Sequence, residues 1–258
     1  MQIGLIGCGN MARALARGWG RPLLCADPIA ERARSLAAEV GGEALASNAE
    51  VAARADLVVL CHKPAQLAAV AEEVGSGSTP VASILAVTPL AALHAAYPGR
   101  PVYRFIPSLP VEVRQGAVVQ AAGPGTLEGG GEDSAATDAE VAALFAELGT
   151  LVVLDDALVD VAMGLMSCGP AYVALVAEAQ VDAGVRRGIP AAQGAELVVQ
   201  TLAGTAELLR RRGYDTMAVR REVSSPGGLT ARGVDALERA GLRRAFSDAL
   251  DAVLEERR

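Results

Sequence analysis

The chain has 258 residues, enough for two domains or one large one. Hydrophobic residues supply 52% of it and aromatics only 3%, so its core rests on Ala, Val and Leu, which suits helices packed closely on a sheet or on each other. With a net charge of −7 and no basic stripe interleaved with aromatics, nucleic acid is a poor candidate partner. Four scattered cysteines, Cys8, Cys25, Cys61 and Cys168, form no C-x-x-C pair and meet no histidine cluster. That argues against zinc and against a disulfide framework, and it suits a reducing compartment. Gly7, Gly9 and Arg13 interrupt the only apolar run near the start, so no signal peptide is expected. No run reaches the ~18 uninterrupted apolar residues of a membrane span. The expectation is a soluble cytoplasmic protein with no membrane association.

In chain order, Gln2–Ile6 reads as a buried strand, Met11–Trp19 as a helix and Pro22–Ala26 as a second strand. Pro28–Val40 is helical, with Ala33, Leu36, Ala37 and Val40 recurring at helix spacing. Glu43–Ala46 suggests a short strand, Ala49–Arg54 a short helix and Asp56–Cys61 a strand. A helix over Ala65–Val74 and strands over Pro80–Leu85, Val102–Phe105 and Ala117–Ala121 follow. Strands alternating with helices imply a mostly parallel, doubly wound α/β sheet.

The Gly-rich Gly123–Gly131 and the polar Glu128–Asp133 read as a loop. Asp138–Leu148 then reads as a helix, with Thr150–Leu154 as the last strand. From Asp156 the pattern is helical: Cys168–Arg187 and Ala191–Arg212, parted by Gly188-Ile189-Pro190, then Thr230–Arg239 and Leu242–Glu256. The expected division is an α/β domain over 1–155 and an all-helical domain over 156–258. Ala191 to Leu202 carries little charge, so this helix must be buried on more than one side, by a second subunit or within its own domain.

Gly7-Cys8-Gly9-Asn10-Met11-Ala12 has the form G-x-G-x-x-A between an apolar strand and a helix. That context gives the motif its meaning. The first glycine makes the turn, the second lets backbone approach a pyrophosphate, and the small Ala12 allows close helix–strand packing. The helix N-terminus then faces the phosphate charge, as in a Rossmann domain. Asp27 ends the second strand, where a carboxylate binds ribose hydroxyls and repels a 2′-phosphate, favouring NADH; capping the next helix is its alternative role. Arg32 and Arg34 lie near enough to accept that extra phosphate, so NAD(P)H is the broader expectation. Lys63 is the only lysine in the chain and closes the third long strand at the ligand edge of the sheet.

These residues carry a family resemblance. Gly4 to Ala12, Asn48 and His62-Lys63-Pro64 resemble the Rossmann half of pyrroline-5-carboxylate reductase. Arg104-Phe105-Ile106-Pro107-Ser108-Leu109-Pro110 looks like that family's M-P-N-T-P segment, and Gly169-Pro170-Ala171-Tyr172 like the end of its S-G-S-G-P-A-Y. Gln200-Thr201-Leu202-Ala203-Gly204 resembles Q-T-x-x-G, and Val223-Ser224-Ser225-Pro226-Gly227-Gly228-Leu229-Thr230 the signature V-x-S-P-G-G-x-T. The matches run in family order over nearly the whole chain. The resemblance implies reduction of 1-pyrroline-5-carboxylate to proline, the last step of proline biosynthesis, by a homodimer or an oligomer of dimers. It implies that Gly7, Gly9, Asn10, Met11, Asn48, Lys63 and Pro64 line the cofactor. Ser225, Gly227, Gly228, Leu229 and Thr230 would hold the substrate, with Thr230 as the candidate catalytic hydroxyl.

The chain departs from the family at Ala86, Ser108, Leu109, Met163, Met166-Ser167-Cys168 and Leu229, mostly by replacing polar groups with apolar ones. A relative acting on a different cyclic imine therefore stays open, as does a non-catalytic dinucleotide-binding regulator. A 3-hydroxyacid dehydrogenase would require a lysine in the helical domain, and residues 151–258 contain none.

Overall fold

A computed structural model describes residues 1–123 and 132–255, with residues 132–137 described by backbone alone. Most of the expected Gly-rich loop, together with Glu256, lies outside the described residues. The chain divides into two compact units, Met1–Pro170 and Ala171–Arg258.

The first unit runs β1 (Ile3–Ile6), α1 (Asn10–Trp19), β2 (Leu24–Ala26), α2 (Ala30–Val40), β3 (Glu43–Ala44), α3 (Asn48–Arg54) and β4 (Leu57–Leu60). A 3-10 turn over Pro64–Gln66 opens α4 (Leu67–Val74), followed by β5 (Val81–Ser83), α5 (Leu90–Ala96) and β6 (Val102–Pro107). A second 3-10 segment, Leu109–Val113, leads to β7 (Gly116–Ala122), α6 (Glu132–Ala146), β8 (Gly149–Asp155) and α7 (Asp156–Met166). The eight strands order β3-β2-β1-β4-β5-β6-β7-β8. Pairing is parallel from β3 to β6, antiparallel between β6 and β7, and parallel again between β7 and β8. This is the expected doubly wound, mostly parallel sheet.

β1 and β4 are buried along their whole length, so their apolar runs need cover on both faces. One layer packs Leu15, Trp19, Phe105 and Phe145; the other packs Val51, Leu60, Val70 and Tyr97. Phe105 stacks on Phe145 at 3.8 Å, and Trp19 meets Phe145 edge-on at 5.5 Å. The Trp19 indole donates to the Leu144 carbonyl at 3.0 Å, satisfying its buried N–H.

Two expectations need correction. The helix expected from Pro28 begins at Ala30, because the Asp27 carboxylate accepts the Ile29 N–H at 2.8 Å in a local turn. Asp27 therefore does not cap α2. The sequence reading also passed over α5: within Leu90–Ala96 only Leu93 is buried, too little apolar periodicity to mark a helix.

The second unit is helical, as expected: α8 (Gly169–Val185, starting at the end of the first unit), α9 (Ala191–Arg211), α10 (Thr216–Val223), α11 (Leu229–Arg239) and α12 (Leu242–Glu255). α8, α11 and α12 bury no residue, and α9 buries only Gly194. Val173, Leu175, Leu197 and Val199 lie exposed. Asp156–Val185 is long and apolar enough by length and composition alone to cross a membrane, although charged residues interrupt it. Apolar surface of this extent calls for a covering partner.

Candidate active site

The strand order reverses between β1 and β4, and the carboxyl ends of the parallel strands border a crevice there. A cleft of about 650 Å³ opens at this edge. Gly7, Gly9, Asn10 and Met11 form its floor, Asp27 to Ile29 and Arg32 one end, and Cys61 to Pro64 with Gln66 its middle. Ile84 to Ala86 after β5, Ile106, Pro107 and Leu109 around β6, and Met163 and Ser167 around α7 line the other end.

The two glycines serve different ends. Gly7 has φ +95°, and a Cβ there would stand 2.8 Å from the Cys61 carbonyl carbon and the His62 nitrogen. The turn itself thus demands glycine. Gly9 has an ordinary φ of −76°, and a Cβ on it would meet nothing within 4 Å. Nothing in the protein explains a glycine there, whereas a ligand pressed against the backbone does. The first turn of α1 has no side-chain cap, which leaves its amides to such a ligand. The residues fit a dinucleotide pyrophosphate.

At one end, Asp27 accepts the Cys8 N–H and the Ile29 N–H, each at 2.8 Å, which fixes its carboxylate beside the cleft. Arg34 is paired with Glu31 at 2.9 Å and does not line the cleft, so of the two nearby arginines only Arg32 borders it. Lys63 and Arg32 form no ion pair among the described residues. The backbone N–H of Lys63 is held by Gln66 Oε1 at 3.0 Å. Asn48 is placed differently from these: it is buried, and its amide donates to Glu73 at 2.6 Å, away from the cleft lining.

His62 Nδ1 donates to the Lys63 carbonyl at 2.9 Å, leaving Nε2 as a buried acceptor without a partner among the described residues. Burial lowers the ring's pKa, so it stays neutral and has no acidic proton to give. Burial also pushes the Cys61 thiol up, while a hydrogen bond with Cys25 and burial raise that of Cys8. Neither is a ready nucleophile. Among the described residues no hydrogen-bonded acid–base pair lines the cleft, which fits a reaction whose bond change is a hydride transfer.

The far end is apolar. Leu109 and Met163 face the cleft, but Ser108 does not: its hydroxyl accepts the Ala117 N–H at 2.9 Å and is buried. Met163 and Met166 both pack against the cluster that holds Ile106, Val119 and Val159, and Met163 lines the cleft as well. Of these departures, then, Ser108 and Met166 serve the fold, Leu109 and Ser167 line the cleft, and Met163 does both. α7 is fixed from below by Arg104, whose fully buried guanidinium donates to Asp156 Oδ1 at 2.7 Å and also binds Asp160. Asp156 Oδ2 in turn accepts the Leu90 N–H at 3.0 Å. Sequence reading missed this triad, since three charges far apart in the chain carry no periodic signal. It also missed Ile84, Leu85 and Gln66, although the rule that ligands bind beyond strand carboxyl ends points to them.

In the second unit, Ser225–Gly228 makes a turn closed by Gly228 N–H to Ser225 O at 3.0 Å, with Gly227 at φ +68°. A Cβ on Gly228 would collide with Ser225 Oγ. α11 starts directly after it without a side-chain cap, so Leu229, Thr230 and their neighbours begin a helix of 11 residues with open amides.

The pyrroline-5-carboxylate reductase dimerisation family matches residues 156–258, and the coenzyme F420-dependent NADP oxidoreductase family matches residues 2–88. Pyrroline-5-carboxylate reductase of Pseudomonas aeruginosa is 33% identical over 97% of this chain and 93% of its own length. That of Thermus thermophilus is 34% identical over 98% and 95%. The crystal structure of the Streptococcus pyogenes enzyme superposes with a TM-score of 0.87 at 27% identity, covering 99% of this chain and 97% of that one. A Plasmodium falciparum pyrroline carboxylate reductase with NADP bound shares the fold, with a TM-score of 0.85 at 24% identity over 99% and 96%. A dimerisation region over 156–258 accounts for the exposed apolar helices: the chain assembles as a homodimer or larger oligomer. Its cofactor is a nicotinamide dinucleotide. The chain belongs to the pyrroline-5-carboxylate reductase family.

Proposed function

We propose that the protein reduces 1-pyrroline-5-carboxylate to proline, the last step of proline biosynthesis. The observation that carries this is the presence in one chain of a dinucleotide cleft with no hydrogen-bonded acid–base pair among its described residues and of a Ser225–Thr230 loop that opens a helix. A nicotinamide dinucleotide, when bound, supplies a hydride to the C=N carbon. Gly7, Gly9, Asn10 and Met11 hold its pyrophosphate, and Lys63 and Pro64 border its path. Asn48 ties α3 to α4 through Glu73. A cyclic imine is basic enough to arrive protonated, so the protein has only to orient it and exclude water. The open amides of Leu229 and Thr230 suit the substrate carboxylate, with Ser225, Gly227 and Gly228 shaping the turn before them. The Thr230 hydroxyl adds a donor to that carboxylate.

NADH oxidation followed at 340 nm with a panel of cyclic imines tests this reading. Turnover of pyrroline-5-carboxylate is expected, and Thr230→Ala is expected to lower kcat at least tenfold while leaving dinucleotide affinity within about twofold. Good turnover of another imine beside none of this one would replace the substrate. A flat trace across the panel with dinucleotide still bound would make the chain a binding protein.

NADH is the preferred cofactor in this reading. Asp27 is a fixed carboxylate at the end of the cleft next to β2, where it favours a ribose diol and repels a 2′-phosphate. Arg32 is the competing influence. Asp27→Ser is expected to move the NADPH/NADH ratio of kcat/KM towards NADPH by roughly tenfold, the equivalent of about 1.4 kcal/mol of relieved repulsion. An unchanged ratio would leave Asp27 only its two backbone contacts.

The domains follow as 1–155 for the dinucleotide and 156–258 for dimerisation and substrate. The partners are an imine and further copies of the chain, in an oligomer built of dimers. Neither nucleic acid nor membrane takes part, and the compartment is the cytoplasm.

A further inference from the structure

The far end of the cleft poses a chemical problem. Ile84, Leu85 and Ala86, with Ile106, Leu109 and Met163, present aliphatic surface at the end of the cleft away from Asp27, where the ring that receives the hydride would lie in the reading above. A protonated imine carries a positive N–H, and leaving that donor unpaired in an apolar site forfeits a strong charge-assisted hydrogen bond. Among the side chains lining this end, only Ser167 can accept one. Its hydroxyl is also underused. Its acceptor, the Pro107 carbonyl, lies 3.4 Å away, beyond the usual range for O–H···O, and among the described residues no donor reaches the oxygen's lone pairs.

Its position is well fixed. Ser167 is the residue that ends α7, with its N–H on the Met163 carbonyl at 2.9 Å. α7 starts at Asp156, whose carboxylate is tied to Arg104 and to the Leu90 N–H, and Asp160 adds a second tie one turn on. Asp155 caps the helix by accepting the Ala157 N–H at 2.9 Å. A hydroxyl at the end of a helix braced in this way has little freedom to drift from the cleft.

We propose that Ser167 Oγ accepts the N–H of the protonated cyclic imine, making Ser167 the residue that orients the C=N bond. This rests on the imine-reductase reading above and concerns the nitrogen of the substrate alone. The hydroxyl keeps its own proton, directed at Pro107 O, and the imine keeps the proton it brought. On reduction the C=N π pair becomes the nitrogen lone pair, so no proton crosses between Ser167 and substrate. The substrate class that follows is a cyclic imine with hydrogen on nitrogen; an N-alkylated iminium gains nothing from Ser167.

The test compares Ser167→Ala and Ser167→Thr with the wild type on two substrates, 1-pyrroline-5-carboxylate and its N-methyl iminium analogue. Ser167→Ala is expected to lower kcat/KM for the first by about 10- to 100-fold and for the second by less than about twofold. Ser167→Thr, which keeps the hydroxyl, is expected to recover most of the loss. NADH affinity, from fluorescence titration, is expected to stay within about twofold in both variants. Equal losses on both substrates would reduce Ser167 to a structural role and overturn the proposal, as would no loss on either. A calorimetric readout stands apart from turnover: with NAD bound, Ser167→Ala is expected to weaken L-proline but not N,N-dimethylproline, which has no N–H. A wild type inert to every imine would sink the proposed reaction; unweakened binding of L-proline by Ser167→Ala would sink the role of Ser167 alone.

Discussion

Gly9→Val is expected to cut NADH affinity by about 100-fold or more while the protein stays folded. The backbone at Gly9 is extended, with φ −76° and ψ −170°, a conformation that a β-branched residue adopts readily. A Cβ there meets no protein atom within 4 Å, so the valine methyls project only into the space assigned to the pyrophosphate. Pushing a phosphate off two backbone donors forfeits about 1.5–3 kcal/mol for each charge-assisted bond, which is where the hundredfold figure comes from. Gly7→Ala is the natural contrast. Its φ of +95° and the Cys61–His62 backbone 2.8 Å from the new Cβ leave nothing free to yield, so stability is lost along with binding. Titration of NADH fluorescence together with urea denaturation separates the two. A Gly9→Val protein that binds NADH within threefold of the wild type would show that the dinucleotide does not cross this turn.

The second large effect concerns the charges under α7, and it is asymmetric. Asp156→Ala is expected to destabilise the protein by about 3–5 kcal/mol, and Arg104→Met by distinctly less. The Arg104 side chain has no exposed surface, whereas those of Asp156 and Asp160 are 26% and 15% exposed. Removing the arginine leaves carboxylates that reach water and a methionine that fills the space. Removing Asp156 leaves a buried cation with one of its two carboxylates gone and strips the Leu90 N–H of its acceptor. Denaturant midpoints at constant slope measure both. A larger loss for Arg104→Met would mean that packing around the guanidinium, rather than its charge, carries the contribution.

Much of this molecule is legible in its sequence, for identifiable reasons. β1 and β4 read clearly because a strand covered on both faces must be apolar throughout, and the turn between β1 and α1 because glycine is required there twice, for two different reasons. The far end of the cleft was harder. The departures from the family pattern at Ser108, Leu109, Met163 and Met166 look equivalent in a string of letters. Only the fold separates Ser108 and Met166, which pack inside, from Leu109, which lines the cleft, and from Met163, which packs on the same core as Met166 and lines the cleft as well. Helix phase near a terminus and side-chain direction in a 3-10 turn decide that, and neither is periodic. The Arg104–Asp156–Asp160 cluster stayed hidden because its members are joined through space alone. Asp27 was visible as a residue at a strand end, but its hold on the Cys8 and Ile29 amides was not.

The helices from α8 to α12 bury almost nothing of their own, though they carry much of the chain's apolar surface. Hydrophobic stabilisation that a monomer cannot collect has to come from association, which makes folding and assembly a single equilibrium governed by mass action. The free energy of unfolding then contains the logarithm of protomer concentration. Dilution loosens this protein as a denaturant would, and its stability is a property of the solution as much as of the chain.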